Sequence, residues 1–162
     1  MNRLEQLIDE MILFEKESPK HVQHFLKVYE FAHIIALREQ ASKEICDVVE
    51  AAAIVHDIGI NISLEKYGSS KGTYQELEGP PLAERMLTDI GYDSDFVNRV
   101  AYLVGHHHTY TNIDGLDYQI LVEADFLVNM YEEHYQKEQI ESVYKNIFKT
   151  VSGKKLCEIM FL

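Results

Sequence analysis

With 162 residues, 46% of them apolar and 26% charged, the chain has the size for one hydrophobic core and is too apolar to be intrinsically disordered. Its 27 acidic against 15 basic residues give a net charge of −12, and no Lys/Arg run builds a basic patch, which excludes binding to a nucleic-acid polymer by charge. Two cysteines, Cys46 and Cys157, stand in unrelated contexts and exclude both a disulfide framework and a zinc knuckle.

The amino terminus, MNRLEQLIDEMILFEKE, repeats Leu4, Leu7, Ile8, Met11, Leu13 and Phe14 at three- and four-residue steps, which predicts an amphipathic helix ending near Glu17. It lacks the basic, apolar and small-residue regions of a signal peptide, and no apolar stretch is long enough to span a bilayer. A cytoplasmic protein without membrane contact is expected. Ser18 is a good N-cap and Pro19 suits a first helical turn, so the second helix is expected over about 19–40, with Phe25, Val28, Phe31, Ala32 and Ile35 on its apolar face. Residues 43–58 continue as a helix that Ala51 to Val55 make apolar almost all round, which places it at the centre; Gly59 is expected to end it. Residues 61–79, richer in Gly, Ser and charge, are expected to form a long surface loop beside a site.

Pro80 and Pro81 are expected to open a short helix that Gly91 closes, and Asp93 or Ser94 to cap another that runs to about His106. After a loop over 109–115, helices are expected over 118–135 and 139–150, with a short terminal segment over 154–162. Strand alternation, repeats and linkers are missing. The expected fold is all-α, an irregular multi-helix bundle forming one domain over residues 1–162.

His56 and Asp57 fall at the carboxyl end of the most apolar helix, where an unpaired carboxylate would cost several kcal/mol. Either a divalent metal balances Asp57, or it caps local backbone beside a core histidine. His24, one turn before Val28, shares the apolar stripe of its own helix. Asp125 does the same among Leu121, Ala124 and Val128 on a third helix. Three helices thus each turn a polar group inward, and the economical explanation is one cation held by His24, His56, Asp57 and Asp125. Imidazole and carboxylate together suit Mn, Fe, Co, Ni or Zn.

The segments HFLKVYEFA from His24, AAIVHDIGI around His56 and Asp57, and VEADFLVN around Asp125 resemble, in order, the three signature segments of the HD-domain superfamily. The resemblance runs from about His24 to Tyr131. It implies a helical domain that binds a divalent metal (Mn, Fe, Co, Ni, Zn or Mg) through those four residues, and a phosphohydrolase acting on a small phosphate ester such as a nucleotide. Two other readings stay open: a metal-stabilised regulatory module that binds a nucleotide without turnover, and the two-iron oxygenase chemistry of some HD proteins.

In the phosphohydrolase reading Asp57, besides binding metal, orients or accepts the proton of the attacking water. His106, His107 and His108 follow the helix ending YLVG, and three adjacent histidines cannot all face one way. Similarly placed HH residues face the metals in HD proteins that hold two. Those members carry another His before the HH, where this chain has only Gln75, Glu76 and Glu78. A second metal would then rest on Glu78, His107 and His108; otherwise His107 acts on the phosphate or leaving group. Lys66 and Arg85 are candidate phosphate contacts, and Tyr67, Tyr74 and Tyr110 serve either a base or the core. His21, His33 and His134 are expected at the surface.

Overall fold

The computed structural model describes all 162 residues, as nine helices and no strand. They are α1 (Arg3–Phe14), α2 (Pro19–Arg38), α3 (Lys43–Val55), α4 (Ile60–Tyr67), α5 (Gly72–Ile90), α6 (Ser94–Val104), α7 (Leu116–Glu132), α8 (Lys137–Asn146) and α9 (Val151–Phe161). Helices α2, α3 and α7 pack on one another at the centre; α5 and α6 form a second pair against α3, α1 covers α3 and α5, and α9 closes on α7 and α2. No helix is long and apolar enough to cross a membrane.

Local chemistry accounts for most helix starts. Asn2 and Glu5 form a reciprocal capping box on α1, while Ser42, Asp93 and Thr150 accept backbone N–H bonds at the starts of α3, α6 and α9. Ser18 and Pro19 mark the start of α2 as expected, although the Ser18 hydroxyl makes no capping bond.

The expected loop over 61–79 is instead helix α4, a short connection, and the first two turns of α5. Pro80 and Pro81 lie inside α5 and do not open it. Two glycines explain why that stretch is helical. A Cβ on Gly59 would stand 2.9 Å from the Gln75 carbonyl oxygen and the Gly79 nitrogen, and one on Gly79 would stand 2.8 Å from Val104. The α3–α4 turn therefore meets α5 nearly backbone to backbone, the Val104 side chain of α6 fills the space beside Gly79, and the tertiary contact overrides weak helix propensity. Gly59 serves close approach and stands at the start of α4.

Helix α7 is buried almost all round and carries three buried carboxylates, each answered differently. Asp117 is gripped by Arg99 at 2.6 and 2.8 Å. Glu123 accepts from the Lys149 and Thr150 nitrogens at 2.5 and 2.9 Å, the Thr150 hydroxyl at 2.5 Å and the Gln119 amide at 3.0 Å. Asp125 faces histidines. Replacing Glu123 by Ala would leave two backbone donors and a hydroxyl unanswered in the corner that joins α8 to α9. A stability loss of about 2–4 kcal/mol is expected in urea unfolding; a loss below experimental error would show that Glu123 does not hold that corner.

Candidate metal centre

Four helices bring six potential donors together. His24 comes from α2, His56 and Asp57 from the end of α3, His107 and His108 from the turn after α6, and Asp125 from α7. His24 Nε2 lies 3.2 Å from His56 Nε2, 3.2 Å from Asp125 Oδ1 and 3.3 Å from Asp57 Oδ2. His56 Nε2 lies 3.3 Å from Asp57 Oδ2 and 3.4 Å from Asp125 Oδ1. The fold thus brings these four side chains together.

The histidine tautomers follow from the helix ends. The last carbonyls of a helix lack intrahelical partners, and His56 Nδ1 donates to Ala53 O at 2.7 Å while His107 Nδ1 donates to Val104 O at 2.7 Å. A carbonyl only accepts, so each Nδ1 keeps its proton, and in the neutral ring each Nε2 turns inward as a lone pair. His24 is set in the same way by its Nδ1 bond to Glu132 at 3.3 Å, with Glu132 held by Lys27 at 2.8 Å. Asn129 donates to Asp125 Oδ1 at 3.0 Å. The result is a buried set of acceptors facing acceptors, which a divalent cation fits. The carboxyl ends of α3 and α6 add their partial negative charge.

The electrostatics agree with that fit. Burial opposes charge on His56, yet the Asp57 and Asp125 carboxylates outweigh it and hold the imidazolium well above its usual range. Against the same desolvation, His56 and His107 hold Asp57 well below the ordinary carboxylate range, and His56 and His24 do so for Asp125. Protein groups alone can neutralise these carboxylates only by collecting protons on the histidines. A cation would do so without them.

His107 Nε2 is fully buried without a hydrogen-bond partner, 3.4 Å from Asp57 Oδ1. Asp57, His107 and His108 make a second group with donor atoms within 4.8 Å of one another, next to the group of His24, His56 and Asp57. Asp57 therefore offers one oxygen to each side. Gln75 Nε2 donates to Ser70 O at 2.6 Å, which points Gln75 Oε1 at His108 Nε2, 3.1 Å away, and leaves His108 Nδ1 as its lone pair. Burial and the neighbouring His107 push the His108 imidazole down to about 4, so it is neutral at neutral pH. Gly72 makes room for this ring, since a Cβ there would stand 2.8 Å from it. His106 turns outward onto Tyr102, with ring centroids 4.0 Å apart.

Glu78, expected among the second group, is elsewhere: Lys66 at 2.9 Å and the Tyr67 hydroxyl at 2.7 Å take its carboxylate. Glu76 instead accepts from the His108 nitrogen and the Thr109 hydroxyl and so fixes the histidine turn. The two donor groups open onto a cleft of about 400 Å³. Lys20 and His21 line it, together with Ile60, Leu64, Asn129 and Glu133. Lys66 does not line it, being paired to Glu78, and Arg85 lies in a separate groove between α1 and α5. Tyr67 and Tyr74 stack on each other at 4.2 Å, and Tyr110 packs on Phe126. His21, expected at the surface, is a cleft residue. The signal for it, and for Asn129 and Glu132, was helical spacing: 20, 21 and 24 share a face of α2, and 125, 129 and 132 share one of α7.

The family model described as HD domain matches residues 22–148. Among solved structures, the chain is similar to a predicted HD superfamily hydrolase from an uncultured Thermotogales bacterium, with a TM-score of 0.69 and 25% identity over 96% of this chain and 83% of that one. No curated protein matches. The match spans His24, His56, Asp57, His107, His108 and Asp125, and the chain belongs to the HD-domain family, a superfamily of metal-dependent phosphohydrolases.

Proposed function

We propose that this chain is a metal-dependent phosphohydrolase that cleaves a small phosphate ester, with a phosphomonoester or a nucleotide as the substrate class. One observation carries the reading: locked imidazoles and two carboxylates present only acceptor atoms to one another at the floor of a cleft. His24, His56, Asp57 and Asp125 would hold the divalent metal, and Asp57, His107 and His108 would hold a second. A bound divalent cation supplies charge to a phosphate oxygen and makes water a stronger acid.

The side chains do the rest. Asp57, with an oxygen toward each donor group, orients the attacking water and accepts its proton. Lys20 takes the phosphate-binding role that the sequence suggested for Lys66 and Arg85, because it lines the cleft and pairs with no carboxylate. A cleft of about 400 Å³ falls in the range of small-ligand sites. Its apolar residues are Ile60 and Leu64, and they offer a nucleobase no aromatic face.

A second reading, two-iron oxygenation, draws on the two donor groups that share Asp57. It requires iron and oxygen for any product, whereas hydrolysis proceeds anaerobically with Mn or Co.

Protein purified after growth in metal-rich medium should carry divalent metal by elemental analysis, and His56→Ala should strip it. Asp57→Asn should lower turnover of a phosphomonoester panel by about 10²–10⁴-fold. Full metal content with full turnover in Asp57→Asn would remove Asp57 from the chemistry. Metal-loaded protein that turns over no ester, yet melts higher with a nucleotide, would indicate a regulatory module. Glu132→Ala, by freeing the His24 ring, should weaken metal binding about 10–100-fold in calorimetric titration. Unaltered affinity would show that Glu132 does not orient His24.

A further inference from the structure

The phosphohydrolase reading leaves one step without a residue: an alkoxide leaving from phosphorus needs a proton. The acceptors on the cleft floor are turned to one another. Glu132 is taken by Lys27 and His24. The titratable N–H groups that line the cleft outside the donor cluster are those of Lys20 and His21, and an imidazolium is by its chemistry a stronger acid than an ammonium.

His21 is held for this task. Its Nδ1 lies 3.0 Å from Glu15 Oε2, and Glu15 is only 2% exposed although it caps the end of α1. The same carboxylate oxygen accepts from Asn61 Nδ2 at 3.0 Å, so α1, α2 and α4 all meet at this carboxylate. A carboxylate accepts, so Nδ1 carries the proton and the ring is fixed with Nε2 on its other side. Nε2 has no partner within the protein, and the side chain, 27% exposed, lines the cleft. His21 precedes His24 by three residues, which puts it on the same helix face, roughly 4.5 Å along the axis. It stands one residue before the segment that the family model matches.

We propose that His21, oriented by the buried Glu15 carboxylate, is the general acid that protonates the leaving oxygen; this rests on the phosphohydrolase reading. As the water oxygen bonds to phosphorus, its proton passes to Asp57 and the phosphorus–oxygen bond to the alcohol breaks. The electron pair of that bond stays on the alcohol oxygen, which takes the Nε2 proton of the His21 imidazolium. The products are the alcohol and inorganic phosphate. His21 regains its proton from water at the open side of the cleft, and Asp57 gives its proton up. Glu15 touches neither substrate nor reacting atoms and is a positioning residue.

The experiment compares two esters on metal-loaded full-length protein. p-Nitrophenyl phosphate releases a phenolate that needs no proton; glycerol phosphate releases an alkoxide that does. His21→Asn should lower kcat for glycerol phosphate roughly 100-fold more than for p-nitrophenyl phosphate. Glu15→Gln, which keeps an oxygen acceptor for Nδ1, should show the same bias to a smaller degree. Both variants should keep wild-type metal content and cooperative melting.

Equal losses on the two esters, or no loss on glycerol phosphate, would overturn the general-acid role while leaving the hydrolase reading intact. If His21→Asn does not fold, Glu15→Gln decides by the same ratio: a bias supports the role and its absence overturns it. Wild-type protein that holds metal but cleaves neither ester would overturn the hydrolase reading and the role of His21 with it.

Discussion

The centre of this bundle is governed by the need to balance Asp57 and Asp125 inside apolar helices. Neither carboxylate has a lysine or arginine partner. That contrasts with Asp117 on the same helix as Asp125, which Arg99 neutralises outright. A fold under selection for stability alone has the Asp117 solution within reach, since a broken or cation-free buried charge is costly. The use of imidazole nitrogens instead means that the balancing charge is supplied by something that can be exchanged, a proton or a metal. Stability and chemistry are therefore coupled at the same four side chains.

The scaffold fixes that arrangement through helix ends. His56 and His107 each occupy the carboxyl terminus of a helix and answer a carbonyl that the helix itself cannot satisfy. One bond does two things, capping the helix and turning a lone pair toward the cleft. This dependence also explains the glycines. Gly59 and Gly79 allow the α3–α4 turn, α5 and α6 to approach so closely that the two histidine-bearing ends share one site. Gly72 then clears the space that the His108 ring fills.

What the sequence revealed depended on whether a residue's role was written in its own helix. His24, His56, Asp57 and Asp125 were legible because each interrupts an apolar stripe at helical spacing, and a polar group there demands a reason. The central position of residues 51–55 and the all-helical class followed from the same periodicity. The helical stretch over 60–90 was not legible, because Gly59, Gly79, Pro80 and Pro81 carry turn chemistry locally and close packing only in three dimensions. Lys66, Arg85 and Glu78 stand out in the sequence only by charge and position, and the fold pairs Lys66 with Glu78 and sends Arg85 to another groove. The Glu15–His21 contact joins two helices across a corner where Glu17 takes a left-handed φ of 66°, and no spacing rule encodes such a turn.

The charge of the chain bears on how a phosphate could be bound at all. At a net −12, and with Glu132 and Glu133 on the walls of the cleft, the protein repels anions in general and concentrates cations. Lys20 alone cannot reverse that field for a dianionic ester. In the proposed function a divalent cation held by His24, His56, Asp57 and Asp125 would supply the positive charge that the walls of the cleft lack. Under that proposal, the acidic walls of Glu132 and Glu133 set the cost of every further negative charge that a substrate brings into the cleft.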